Sequence, residues 1–174
     1  FTNNILRPVA AGISTSGRDY QSTTQQARNI RIANNLFDDV STAYGTSMGG
    51  FLLLASGPAN LVVDHNTVLH DGTKLIDIDH TAVQGFVYTN NVSHHNKYGI
   101  KGQGRGVGLD TLNAVFPGHV FKGNVLAGGP PASYPAGNYF PTVAAFLASF
   151  VDASGGDYSL ISSSVFNNAG TDGR

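Results

Sequence analysis

Short apolar segments punctuated by one polar position recur along the chain as FTNNIL, IANNLF, VDHNTV, YTNNVS and FKGNVL. Their shared asparagines are Asn4, Asn35, Asn66, Asn91 and Asn124, spaced by 31, 31, 25 and 33 residues. Three residues before each stands Phe1, Ile32, Val63, Tyr88 or Phe121. Apolar residues follow each one: Ile5 and Leu6, Leu36 and Phe37, Val68, Val92, Val125 and Leu126. A period of this size marks stacked units, none of which buries its apolar face alone. Helical solenoids share the period, but NLVVDHNTV, KLIDIDH and GFVYTNNV are short, rich in β-formers and bounded by Gly, Asn or Pro. LIDIDH alternates apolar and polar positions, as a half-buried strand does. Each period holds a second short strand, in GFLLLAS, KLIDIDH and YGIKG. The pattern predicts an all-β chain: a parallel β-helix of four to five coils, with two or three strands per coil.

Stacking explains the asparagines. A sharp bend between strands favours a residue that tolerates left-handed backbone angles, and Asn does so. Coils about 4.8 Å apart would align Asn35, Asn66, Asn91 and Asn124 in an inward ladder whose amides bond one another. Asn91-Val92-Ser93 is formally a glycosylation sequon, but an inward Asn91 is no place for a glycan. Residues 1–127 are predicted to form the coils, with STSGRDYQSTTQQARN and SHHNKYGIKGQGRGVGLDTLNAVFPGH looping out. Residues 128–174 are predicted to be a loop, a short helix within TVAAFLASF starting at Thr142, and a tail. In this reading they belong to the same domain and cap the last coil. FTNNIL already matches a mid-solenoid repeat, so the first coil is expected to have an open edge. The expected cover is another chain, either an N-terminal fragment or a second copy.

The repeats resemble those of right-handed parallel β-helix proteins of the pectate-lyase-like superfamily, over residues 1 to about 126 and as a C-terminal portion. The tail GGDYSLISSSVFNNAGTDGR is similar to the DYRL…SP…NAGTDG ending of many bacterial β-helix repeat proteins. YGIKGQGRGVGLDTLN, FPGHVFKGNVLAGG and YPAGNYFP resemble the last coils of that group. Right-handedness follows from this resemblance and from the chirality of parallel crossovers. The resemblance implies a secreted, periplasmic or cell-surface protein of polysaccharide-processing type, a lyase or glycoside hydrolase. The alternative is a non-catalytic carbohydrate-binding or structural β-helix. The NTD, GHG and RIK motifs of polygalacturonase-like hydrolases are absent, and only DD occurs, at Asp38 and Asp39. No acidic cluster as long as the calcium site of pectate lyases is present.

Composition narrows the partners. At 174 residues the chain suits one domain, and only 12% of residues are charged, with a net charge of −1. No overall field attracts nucleic acid or an anionic membrane, and Lys and Arg are scattered along the sequence. No apolar run reaches the ~20 residues of a membrane span. Without cysteine there is no disulfide scaffold or thiolate metal site. The chain opens at Phe1 with neither Met nor a signal peptide, and reads as a piece of a longer precursor.

Two constellations carry candidate chemistry. If Leu54, Ile78 and Ile100 align inward, Ala55, Asp79 and Lys101 share an outward column, with Leu53, Asp77 and Gly99 in the next. Asp77 and Asp79 would lie about 6.6–7 Å apart on one strand face, near the separation of inverting-glycosidase carboxylates. Lyases of the resembled fold instead use carboxylates for calcium and Lys or Arg at the proton alpha to a uronate carboxyl. Asp77, Asp79, Lys101 and Arg105 could supply that set, and calcium is the cofactor implied. The glycines at 99, 102, 104 and 106 would leave room for an extended ligand. The competing reading is a surface ion pair between Asp79 and Lys101. The second constellation is Asp39, His70 and His95 at equivalent positions four residues past the ladder, with Asp38 and His94 one residue earlier. Such a column suits a metal or an oriented general base, or equally a solvated turn. Tyr20, Tyr44, Tyr134 and Tyr139 are candidate sugar-stacking aromatics.

Overall fold

A computed structural model describes residues 1–21 and 23–173. Ser22, inside the first predicted loop, and Arg174, at the end of the predicted tail, lie outside the described residues. The first coil holds β1 (Ile5–Leu6), β2 (Ile13–Ser16) and β3 (Arg28–Ala33). The second holds β4 (Leu36–Val40), β5 (Leu52–Ala55) and β6 (Ala59–Asp64), and the third β7 (Thr67–His70), β8 (Lys74–Ile78) and β9 (Val87–Thr89). The fourth comprises β10 (Val92–His94), β11 (Gly99–Gly102), helix α1 (Leu109–Val115) and β12 (Val120–Lys122), after which β13 (Val125–Ala127) begins another turn. Helix α2 (Val143–Leu147) and the antiparallel pair β14 (Phe150–Asp152) and β15 (Asp157–Leu160) follow.

Equivalent strands pair in parallel to form three sheets, β1-β4-β7-β10-β13, β2-β5-β8-β11 and β3-β6-β9-β12. The chain is a parallel β-helix. Alternation sets the faces: in β5, Leu52 and Leu54 are buried while Leu53 between them is 46% exposed. The interior fills with Ile32, Phe37, Leu54, Leu61, Val63, Ile76 and Ile78, each fully buried aliphatic or aromatic side chain contributing about 1.5–3 kcal/mol. At the C-terminal end, Phe86 stacks on Phe116 with centroids 4.1 Å apart, and Tyr88, Phe121 and Tyr134 continue the stack.

The asparagine column is a hydrogen-bonded ladder. The Oδ1 of Asn35, Asn66, Asn91 and Asn124 each accepts the backbone N–H and the side-chain N–H of the asparagine one coil earlier, at 2.9–3.2 Å. Asn138 closes the series by accepting both from Asn124, a rung the 25–33-residue spacing hides because it comes only 14 residues later. The left-handed residue at this bend is not the ladder asparagine but its predecessor: Asn3, Asn34, His65, Asn90 and Gly123 have φ between 52° and 71°. Turning the chain one residue early leaves the ladder amide free to point inward.

Two further departures concern the ends. The last coil is closed by α1, whose Leu112 and Val115 are buried beside Phe116, together with Tyr134 and Phe140 from the following loop. The α2 segment and tail do not cap that coil. They lie across the outer face of the five-stranded sheet, where Phe146, Phe150, Tyr158, Leu160 and Phe166 cover Leu36, Leu69, Val92, Val125 and Ala127. The reason is sequence-specific: those five outward positions are apolar, so this face needs covering.

Candidate functional site

Across the β2 sheet, the outward residues Ser14, Leu53, Asp77 and Lys101 stand in one column. The predicted register puts Lys101 beside Asp79, and the structure corrects it. Gly99 pairs with Lys74, a bulge intervenes, and Ile100 then pairs with Ile76, so Lys101 faces Asp77. Gly99 faces the bulge, whose extra residue is Leu75 of β8, and has φ of 52°. It also lies so close to the His95 ring and the Tyr134 hydroxyl that no side chain fits there. That glycine thus serves inward packing rather than ligand access, and Gly102 is likewise buried. Gly104 does border open space.

Asp79 is a turn residue. Its Oδ2 accepts the Ser56 N–H at 2.8 Å and its Oδ1 the Thr81 N–H at 2.7 Å. Burial alone would raise its pKa, but these bonds outweigh it and hold the carboxyl below its ordinary value. Asp77 Oδ1 is held by Lys74 Nζ at 2.6 Å. The two carboxylates therefore serve separate partners, and the calcium set implied by the resemblance does not assemble from them. Among the described residues no group of three His, Asp or Glu side chains is placed to hold a metal. Arg105 is exposed on the turn after β11, its N–H bonded to Gly102 O at 3.2 Å.

What gathers on this face is cationic and aromatic. Lys101 Nζ lies 4.4 Å from the Tyr98 ring centroid and Lys97 Nζ 5.0 Å from it. The Tyr98 N–H bonds to Thr73 O at 2.8 Å, which fixes the tyrosine at the entrance to β11. Lys97 first, then the charges of Lys101 and Lys74, draw the Tyr98 phenol below its ordinary pKa of 10. Lys97 and Lys101, four residues apart, thus flank one tyrosine, and the charge of Lys74 from the preceding coil reaches it although Lys74 is paired with Asp77. Sequence reading saw them as scattered and missed Lys74, Lys97 and Tyr98. The signal was available: Lys74 and Lys97 lie about one coil apart, and Lys101 shares the segment KYGIK. Alongside, a hollow of about 90 Å³ is lined by Ser14, Met48, Leu53, Lys74 and Asp77.

The second constellation separates. β4 bulges, so that Val40 rather than Asp39 pairs with His70. Asp39 sits on the bulge with φ of 56° and accepts from the Tyr44 hydroxyl. His95 points into the molecule, its Nε2 2.8 Å from the Tyr134 hydroxyl. Tyr134 is itself buried, unlike Tyr20, Tyr44 and Tyr139.

Asp38, Asp39, His70 and His94 do share a cleft of about 560 Å³, floored by the five-stranded sheet and roofed by the turn at residues 153–156. Most of its polar groups are engaged internally, although the buried His94 Nε2 has no partner among the described residues. Asp38 takes Arg7 at 3.4 Å and the Tyr158 hydroxyl at 2.6 Å, and Asp71 takes the Ser41 hydroxyl and the Thr42 N–H. His70 Nε2 lies 3.0 Å from His94 O. Burial drives His70 down to about 4 and also lowers His94, so both imidazoles are neutral at pH 7. The cleft is the seam between sheet and tail, larger than the β2-sheet hollow but with its carboxylates already paired.

No protein-family model matches the chain, and neither the curated proteins nor the solved structures contain a significant match. Among the described residues no helix is long and apolar enough to cross a membrane.

Proposed function

We propose that the outer face of the β2 sheet binds and processes an acidic polysaccharide, by lyase rather than hydrolase chemistry, in a secreted or cell-surface protein of the pectate-lyase-like kind. The observation carrying this reading is the placement of the Lys97 and Lys101 ammonium groups at the Tyr98 ring. Ammonium groups held at a partly exposed ring can recognise carboxylates along a sugar chain. The hydrolase alternative needs two free carboxylates across a glycosidic bond, whereas Asp77 and Asp79 are bound elsewhere.

The test is incubation with a panel of uronate-containing and neutral polysaccharides, following both unsaturated-product absorbance and reducing ends. Unsaturated product from an acidic polymer supports the proposal. Retention of the polymer without turnover favours a non-catalytic carbohydrate-binding role. Preference for single-stranded nucleic acid over every acidic glycan overturns both.

The same proposal extends to a partner at the edge formed by β1, β2 and β3, where Phe1 and Ile5 are 54% and 65% exposed. A further β coil, from an N-terminal fragment or a second copy, fits such an edge. Sedimentation of this chain at rising concentration tests the second-copy form, and a monomer throughout excludes it.

A further inference from the structure

We propose that Tyr98 is the proton-transferring residue of this face, taking the C5 proton of a uronate and returning it to the departing glycosidic oxygen. The assignment rests on the lyase reading above.

Elimination needs a base beside positive charge that can receive the electron density developing on the uronate carboxylate. The carboxylates of this face and the neighbouring imidazole fall away one by one. Asp77 is held at 2.6 Å by Lys74. Asp79 is tied to two backbone N–H groups. His95 is 2% exposed and turned inward to Tyr134. Tyr98 remains partly accessible, is anchored through its backbone to Thr73, and has two ammonium groups at 4.4 and 5.0 Å from its ring. Those charges favour phenolate over phenol, as the direction of its pKa shift reflects.

In the step, the phenolate oxygen takes the proton from C5, and the electron pair of that bond moves to form the C4–C5 double bond. The C4–O bond breaks, its pair leaves on the glycosidic oxygen, and the Tyr98 phenol protonates that oxygen. Tyr98 is restored as phenolate, and the products are a 4,5-unsaturated uronate and a shortened chain with a free hydroxyl. No oxidant, reductant or added group is consumed. Lys97 and Lys101 are placed to neutralise the substrate carboxylate while negative charge builds on it.

Stereochemistry follows from using one residue twice. A single phenol reaches both H5 and O4 only when they lie on the same face of the ring. That is the arrangement in D-gluco- and D-manno-configured uronates, and it is reversed in D-galacto. The inferred substrate is therefore a polymer of the first two kinds.

The experiment compares wild type, Tyr98→Phe and Lys97→Ala on polymannuronate and polygalacturonate. It also titrates the tyrosinate absorbance of each variant without substrate. Expected results are unsaturated product from polymannuronate in preference to polygalacturonate, and a fall in kcat of about 100-fold or more in Tyr98→Phe with polymer retention unchanged. The low-pH limb of the rate profile should coincide with a tyrosinate transition that is absent in Tyr98→Phe and moves upward in Lys97→Ala. Tyr98→Phe within twofold of wild type overturns the role of Tyr98 and leaves the lyase reading standing. Preference for polygalacturonate overturns the double use of one residue. A wild type that makes no unsaturated product from any acidic polymer, although Tyr98 titrates early, overturns the lyase reading and this assignment with it.

Discussion

Asn66 is fully buried, and its amide serves three coils at once. Its Oδ1 accepts from Asn35, and its Nδ2 donates to Asn91 Oδ1, Ile32 O and Asp64 O. Asn66→Ala strands the Asn35 N–H groups and removes donors from two carbonyls, and each buried group left unpaired costs about 1–3 kcal/mol. We expect a loss on the order of 3 kcal/mol in urea unfolding, whereas Asn4→Ala, at the open and more exposed edge, should cost about 1 kcal/mol or less. Equal effects would mean that the ladder is not a cooperative column. His70 gives a second prediction at this scale. Its pKa falls from 6.5 in the unfolded chain to about 4 in the folded one, chiefly by burial. Above pH 6.5 it has no effect on stability. Between pH 6.5 and 4 the unfolded state gains the proton first, so stability drains away, by on the order of 3 kcal/mol in full. His70→Gln should flatten that part of the stability–pH curve, and an unaltered slope would remove His70 as the cause.

At the scale of elements, the strands were legible because alternation and the repeated asparagine report the same period. The registers were not. Bulges at Leu75 in β8, opposite Gly99 and Ile100, and at Asp38–Asp39 in β4 each insert one residue, and a one-residue slip changes every neighbour downstream. The β4 bulge accounts for the match of Asp39 to His70, while Lys101 falls two residues from Asp79 because Ile100 pairs with Ile76 rather than Ile78. Helix α1 was missed although Leu109, Leu112 and Val115 recur every three residues, because the surrounding glycines read as a loop. The α2 helix was legible from Thr142, which accepts the Ala145 N–H at 3.1 Å as its cap, but nothing local told where it docks. The outward apolar residues of β4, β7, β10 and β13 decide that, and they are visible only after stacking. The tail should therefore behave as a separable strap. Phe146 is fully buried against His94 and Phe150, and Phe146→Ala should cost about 3–5 kcal/mol if the site cannot collapse. The expected signature is faster hydrogen exchange across β14 and β15 with β5 and β8 still protected. Uniform loss of protection would show that strap and coils unfold as one unit.

For the whole molecule, the arrangement of charge matters more than its total. A net charge of −1 supplies no long-range attraction for a polyanion, yet Lys74, Lys97 and Lys101 meet at Tyr98, while Asp38, Asp39 and Asp71 line the cleft on a different sheet. Reading the sequence as scattered charge was sound for the field at a distance and wrong at contact range, because coiling brings positions 74, 97 and 101 together. Attraction that acts only at contact range, on an exposed face, has a clear signature: it is screened within about 10 Å at 0.1 M salt. Retention of an acidic polysaccharide should therefore weaken steeply as salt rises, while any retention of a neutral one should barely change. Replacing Lys97 and Lys101 by alanine should cut retention of the acidic polymer at least about tenfold at low salt, with little change in stability, since exposed charges contribute about 0–1 kcal/mol to folding. Alanine at Arg7 and Asp38, in the seam on the other sheet, should leave retention intact. If instead the seam variants lose the polymer and the lysine variants keep it, the ligand lies under the strap and the β2-sheet face is ordinary solvated surface.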